Sequence, residues 1–467
     1  MVHKKEFLLI FFTVIIVYFL FTIPIFYNIN RALLPFSDAI RYERLACNLI
    51  EHKTYSRDSV PPYRPESFVP PGYPVFITIS YTLFGKNPIA VIIIQIIIAA
   101  LTGFLTFLLA REFTESRKIA LLAGVLFGLS PNLAFHSTKL ISESLFTSLL
   151  LLSLYSLIRA IKNQTKNSFI GLLLAGFCFG LATYVRTISI YFPILIFIIL
   201  IIWQKKTKLS LTAIFGFIII YLITLSPWII RNSIVFKKPI FATTAEVNIF
   251  LYNAPTVIAS EQGISLEEAR DTIWSQVQRI FANNPNLDST NGVIQAQIGS
   301  AVGLKYIFRY PLTYAKIHTT SFLLNFLIPI GISPLIQYLT GKPLTELVKR
   351  QRVMQDALAL LVRGRIKQAV GLVSKERFYR LSPIGFLILI WAGLFQLFIM
   401  VGAIICLIRF FKKTFYLLIP IIYYTIATGP VCDARLRVPI EPLLIILTAI
   451  GYFSLIRKKE SGNSTKG

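Results

Sequence analysis

The stretch Phe7-Leu8-Leu9-Ile10-Phe11-Phe12-Thr13-Val14-Ile15-Ile16-Val17-Tyr18-Phe19-Leu20, continuing to about Phe26, is the first of the apolar runs that decide the fold. About twenty such residues in helical conformation cross the hydrocarbon core of a bilayer. His3, Lys4 and Lys5 precede the run as in a secretory signal, but no small-residue cleavage site follows it. It therefore reads as a retained signal-anchor helix. Working outward, similar runs recur, and 55% apolar residues with a mean hydropathy of +0.68 over 467 residues place the chain among polytopic membrane proteins.

The net charge of +26 is laid out as topology rather than as a nucleic-acid surface. Basic residues cluster in short gaps between apolar runs: Arg111, Arg117 and Lys118; Lys162 and Lys166; Lys205, Lys206 and Lys208; Arg409, Lys412 and Lys413; Arg457 to Lys459. Such gaps mark cytoplasmic loops. With an inside amino terminus the spans fall at about 7–27, 88–110, 117–134, 143–161, 168–185, 188–203 and 209–230, with three more after 384. The expected fold class is an all-α polytopic membrane protein of about ten transmembrane helices, with external amphipathic helices and a small, mainly helical external region. Residues 312–339 are expected to be interfacial or re-entrant, because a full crossing there would put Arg409 to Lys413 outside. Val75 to Phe84 is too short to span and reads as a shallow element. Of the twenty-one carboxylates, only Glu6, Glu112, Glu115 and Glu460 then lie inside, so the working surface is expected to be the external one.

Two external regions have helical signatures. Ser37 can cap a surface helix starting at Asp38, with Tyr42, Leu45, Ala46, Leu49 and Ile50 on one face. In the larger region, 231–383, Ser265 and Glu268 form a capping box for a helix running toward Ala282, and Lys342 to Arg380 is basic and amphipathic.

Several charged groups sit where their cost needs a reason. Asp38 can stabilise its own helix, or serve as a general base or metal ligand. Glu143 opens a span, and no further carboxylate occurs until Glu246; it is either functional or paired with Lys139 at headgroup level. Arg186, Arg231, Arg435 and Arg437 lie in external turns, where guanidiniums either anchor to lipid headgroups or bind phosphate through paired donors. His52 and His136 are external and could join Asp38 around a divalent metal ion, although no ligand spacing marks them. Cys47 and Cys432 fall in external segments and could pair as a disulfide, while Cys178 and Cys406 sit in apolar runs.

These residues fall within motifs similar to those of the GT-C membrane glycosyltransferases, in their protein O-mannosyltransferase-like (dolichyl-phosphate-mannose-protein mannosyltransferase-like) branch. The matching pieces are Phe36-Ser37-Asp38, Tyr55, Pro70-Pro71-Gly72-Tyr73-Pro74, Leu83-Phe84-Gly85, Leu129-Ser130-Pro131 and Ser142-Glu143-Ser144-Leu145-Phe146. They continue with Gly180-Leu181-Ala182 before Arg186, Ser226-Pro227-Trp228-Ile229-Ile230-Arg231-Asn232, and Arg435-Leu436-Arg437-Val438-Pro439 followed by Glu441-Pro442. Their order covers about 7–232 and 428–456; the segment 231–383 diverges, and Ala39 after Asp38 departs from the paired acids of the eukaryotic enzymes.

The resemblance implies a GT-C transmembrane module over 1–230 with its first external loop at 28–87, an external and interfacial region over 231–383, and carboxy-terminal spans with a cytoplasmic tail over 384–467. It also implies an inverting transfer of a sugar from a polyprenyl-phosphate donor to a hydroxyl on a lipid, glycan or protein. Asp38 and Glu143 would be catalytic, with Tyr73, Arg186, Arg231, Arg435 and Arg437 binding substrate. The partners would be that donor, membrane lipid and the acceptor, with no nucleic acid. The expected location is the plasma (inner) membrane of a prokaryote, with the site on the external face. A lipid or sugar transporter or flippase is the alternative, and it should place its charged groups near the bilayer midplane rather than at span ends.

Overall fold

The computed structural model describes residues 3–29, 33, 37–163, 167–330, 335, 338–339, 357, 360–377, 382–431 and 433–463, and among these it contains helices and no strand. Lipid leaves no water for unpaired backbone groups, so a chain this apolar satisfies them within helices. Lys4–Leu20 buries Ile10, Val14 and Tyr18, spaced four apart, while Phe12, Ile16 and Phe19 face outward. It packs on Pro88–Arg111 and Arg117–Leu129. Glu143–Asn163 lies against Pro88–Arg111, then Asn167–Val185 and Leu211–Phe236 follow in turn.

Among the described residues five helices are long and apolar enough to cross a membrane, or six if Arg117–Leu129 and Pro131–Ser137, bent by 53° at Ser130, are one broken span. Gly72–Phe84, Thr187–Ile202 and Glu441–Leu455 are shorter apolar helices. The count of ten is not reproduced by length alone: the first span, expected over about 7–27, is a helix that ends at Leu20 and a short one at Ile23–Tyr27, and two further boundaries shift for identifiable reasons. The expected span at 117–134 breaks where Pro131 opens a new helix capped by the Ser130 hydroxyl. The span expected to end at 230 runs on to Phe236, through Pro227.

Pro383–Ala427 is assigned as 45 continuous helical residues, but Phe410 has φ −130° and ψ 23°. At 1.5 Å per residue an unbroken helix would be about 68 Å long, more than twice the core of a bilayer. The break falls beside Arg409, Lys412 and Lys413, so the element is two helices meeting at a basic kink. Glu441–Asn463 packs along it, and the backbones touch where Gly451 meets the Gly402 carbonyl.

The basic gaps gather at one end of the bundle. There Arg117 donates to Glu6 at 2.6 Å, the His3 ring meets Phe107, the Lys162 amine lies 4.5 Å from the Phe113 ring centre, and Trp203 meets Phe415. The opposite end carries a small helical unit with its own core: Phe250, Val257, Ile258, Leu266, Ile273 and Val277. Its helix Leu266–Ala282 starts at the expected capping box, with Ser265 N–H donating to Glu268 Oε2 at 2.8 Å and Glu268 N–H to Ser265 Oγ at 3.2 Å. The helix Pro311–Leu327 accounts for the first part of 312–339. Most of Lys342 to Arg380, Phe36 and Cys432 lie outside the described residues; Cys47 is a free thiol.

Candidate active site

Four elements distant in sequence bring their charged residues together at the end opposite the basic turns. The amphipathic helix Ser37–Glu51 buries Ala39, Leu45 and Ala46, as its pattern requires, and leaves Asp38 half-buried in its first turn. Glu143 opens the helix Glu143–Asn163, Arg186 follows Asn167–Val185 directly, and Arg435 lies in the 3-10 turn Ala434–Arg437.

Arg435 joins the two acids. Its Nη1 donates to Asp38 Oδ2 at 2.8 Å while its Nε donates to Glu143 Oε1, the same oxygen that takes a bond from Arg186 Nη1. Arg41 Nη1 donates to the other Asp38 oxygen at 3.1 Å. The chain of charges thus runs Arg41, Asp38, Arg435, Glu143, Arg186. Exposure ranks the two acids: the Asp38 side chain is 30% accessible and that of Glu143 is 0%. Burial by itself would raise the Asp38 carboxyl, but Arg435 and Arg41 outweigh it and hold it below the usual carboxylate range. Burial likewise opposes charge on Arg435, and Glu143 and Asp38 overcome it.

The turn carrying Arg435 is itself clamped. Asn325 Oδ1 accepts from Asp433 N–H at 2.8 Å and its amide donates to the Val431 carbonyl at 2.9 Å. Asp433 Oδ1 accepts from Arg435 N–H at 2.9 Å.

Other residues singled out from sequence lie elsewhere. Arg437 is buried and donates to the Asn325, Ile328 and Pro329 carbonyls at 2.6, 2.7 and 2.9 Å, with its Nε 3.3 Å from Glu441 Oε2. Glu441 in turn accepts from Ser130 and Asn132 at the bent helix. Those bonds tie the carboxy-terminal turn to the bundle. Arg231 donates to the Asn232 side chain at 2.8 Å and to the Glu66 carbonyl at 3.4 Å, with its guanidinium 4.8 Å from the Trp228 ring centre. Tyr73 is fully buried and donates to Gln95 Oε1 at 2.5 Å.

Lys139 does not partner Glu143. Its amine bonds Thr138 Oγ1 at 2.9 Å and lies 3.4 Å from the Tyr338 ring centre, and burial pushes it well below the usual lysine range. Among the described residues no group of three or more His, Cys, Asp or Glu is placed to hold a metal ion. His52 meets Glu51 and stacks on Tyr63, His136 Nδ1 lies 2.8 Å from the Asn132 carbonyl, and the cations beside Asp38 are guanidiniums. This donor set does not fit the divalent-ion site considered from sequence.

Sequence reasoning missed Arg41, Gln95 and Asn325. Arg41 was readable as the i+3 partner of Asp38, and Gln95 as a lone amide within the apolar run 88–110. Asn325 had no local signal.

Fold and site together define an integral membrane protein of packed helices that keeps a carboxylate–guanidinium chain, sealed at Glu143 and partly open at Asp38, at one end of the bundle. Residues 68–230 match the family model described as dolichyl-phosphate-mannose-protein mannosyltransferase, which bears out the resemblance drawn from the motifs. A protein of Aquifex aeolicus (strain VF5), described as uncharacterized, is 29% identical over 153 residues, covering 32% of this chain and 29% of that relative. Among solved structures, the archaeal oligosaccharyltransferase AglB from Archaeoglobus fulgidus, in complex with an inhibitory peptide and a dolichol-phosphate, is similar at a TM-score of 0.47 and 14% identity, over 99% of this chain and 52% of that one. ArnT from Cupriavidus metallidurans bound to undecaprenyl phosphate is similar at 0.39 and 13%, over 95% and 77%. The matches thus cover about half of the oligosaccharyltransferase and less than a third of the Aquifex protein.

Proposed function

We propose that this protein is an inverting glycosyltransferase that moves a sugar from a polyprenyl-phosphate donor to an acceptor hydroxyl at the external face of a prokaryotic plasma membrane. The observation that carries the reading is the sharing of Arg435 between Asp38 and Glu143, with Arg186 on the same Glu143 oxygen. Three guanidiniums, of Arg41, Arg186 and Arg435, against two carboxylates leave one net positive charge. That charge complements a sugar–phosphate–lipid diester, which carries one negative charge. The family match over 68–230 supports the same class of donor.

In this reading the acceptor O–H gives its proton to the Asp38 carboxylate as its oxygen attacks the anomeric carbon from the face opposite the phosphate. The anomeric C–O bond breaks, its electron pair goes to the phosphate oxygen, and the departing lipid phosphate gains a second negative charge. Arg186 and Arg435 neutralise that growing charge, the largest kind of contribution a preorganised site makes. Glu143, sealed from solvent, orients both guanidiniums and does not meet the acceptor. Asp38, the open member, contributes the roughly 10² to 10⁴ in rate expected of a positioned base. Its depressed pKa lets it release the proton to water after each turnover.

The test is transfer from a polyprenyl-phosphate sugar by purified protein in lipid. Asp38→Asn should lower turnover at least about 10²-fold while the protein stays folded, with only a small drop in melting temperature. Undiminished transfer by that variant would remove Asp38 from the mechanism. Comparing the envelope glycans and lipids of a deletion strain with those of its parent would identify the acceptor by the sugar that goes missing.

A further inference from the structure

We infer that the corner Val69-Pro70-Pro71-Gly72-Tyr73-Pro74 is a positioning element for the charged cluster, with Tyr73 as its pivot and Gln95 as the link to Glu143. The inference rests on the reaction proposed above, and it reassigns Tyr73 from the substrate contact expected from sequence to a positioning residue. The Tyr73 side chain has no accessible surface and spends its hydroxyl on Gln95, which favours positioning over substrate contact.

Three independent contacts converge on this corner. First, Tyr73 Oη donates to Gln95 Oε1 at 2.5 Å, and Gln95 Nε2 donates to the carbonyls of Ser137 and Lys139 at 3.0 and 2.8 Å. Those carbonyls belong to the turn that delivers the chain to Glu143. Both donors of the amide are therefore used on the turn, and its oxygen accepts from the corner. Second, the Tyr73 ring meets the Tyr42 ring edge-on, at 4.9 Å between centres. Tyr42 is one turn beyond Asp38 on the same helix, and its hydroxyl lies 3.4 Å from Ser142 Oγ, beside Glu143. Third, the backbone of Gly72 presses on the end of the Asn167–Val185 helix. A Cβ built on Gly72 would lie 2.6 Å from the Tyr184 carbonyl and 2.8 Å from Val185 N, just before Arg186.

The corner thus touches the elements that carry Asp38, Glu143 and Arg186. It is braced from below by Glu66, whose Oε1 accepts from Phe68 N–H at 2.6 Å and Val69 N–H at 3.3 Å. A buried hydrogen-bond chain with every donor used holds a single geometry, because any slip leaves a polar group unpaired.

The experiment uses full-length protein and has two readouts. In turnover, Tyr73→Phe and Gln95→Glu should each lower kcat by about 10- to 100-fold, the scale of a misplaced site, with the donor KM unchanged. Gln95→Glu keeps an acceptor for Tyr73 but loses the donor to the turn. The double variant should be no worse than the weaker single. In thermal melting, Tyr73→Phe combined with Glu143→Gln should lose less stability than the two singles summed. A raised KM at constant kcat would make Tyr73 a substrate contact and overturn the inference, as would unchanged kcat or additive melting losses. If the parent protein transfers no sugar, the proposed reaction fails, while the melting cycle still judges the positioning role.

Discussion

At the scale of single residues the two acids of the cluster have opposite environments and should behave differently when neutralised. Glu143 is sealed and holds two guanidiniums, so Glu143→Gln leaves buried positive charge uncompensated. Breaking such a buried pair costs about 3–5 kcal/mol, which should appear as a large drop in melting temperature. Asp38 is partly open, and Asp38→Asn should cost about 1 kcal/mol or less while removing activity. Melting curves of the two variants, beside their turnover, separate an anchor from a reactant; equal stability losses would contradict that division.

The sign of the Asp38 shift also fixes a pH dependence. Its folded pKa is lowered below the ordinary 3.8, so its stabilising contact is fully present above that value and is lost as pH falls through the folded value. The melting difference between the parent and Asp38→Asn should therefore stay constant from about pH 8 to about pH 5 and shrink only in stronger acid. A difference that changes near neutrality would mean that Asp38 is not held by Arg435 and Arg41.

At the scale of elements, the clearest dependence is of the Gly72–Phe84 helix on the helix ending at Val185. Gly72→Ala must move backbone rather than a flexible side chain, because the nearest atoms are the Tyr184 carbonyl and Val185 nitrogen. We expect this one methyl group to lower turnover by about tenfold or more and to lower the melting temperature. An active, stable Gly72→Ala protein would mean that the two helices can part without disturbing Arg186. The bend at Ser130 has a similar logic. Pro131 ends one helix and starts the next, and the side chains of Ser130 and Asn132 at the bend hold Glu441, which holds Arg437. The capping box at Ser265 was legible because it is a local pattern, whereas this bend was read as part of a straight span because hydropathy does not register direction.

At the scale of the whole molecule, the charged cluster and the small helical unit lie at one end of the bundle and the basic turns at the other. In the proposed orientation, which follows the positive-inside rule, the site faces outward. In a background lacking the native cysteines, Ser289→Cys, in the exposed turn of the small unit, should react with an impermeant thiol reagent on intact cells. Lys412→Cys, beside the break at Phe410, should react only after the membrane is opened. The reverse pattern would invert the proposed orientation.

The sequence by itself determined the class of the protein, the helical register of its spans and the presence of charged groups at their ends. Each of these is local: apolar length sets a span, i+3 and i+4 spacing sets a face, and a capping box sets a helix start. It also named Asp38, Glu143, Arg186 and Arg435 as candidates, because charge beside lipid is costly wherever it occurs. Only the tertiary structure decided which arginines share those carboxylates. Arg435 is 397 positions from Asp38 and 292 from Glu143, whereas Arg437, two residues away in the same turn, is consumed by backbone carbonyls. In sequence the two arginines look alike. Their roles separate because a helical turn points neighbouring side chains in different directions, and what each one meets depends on how the other helices pack.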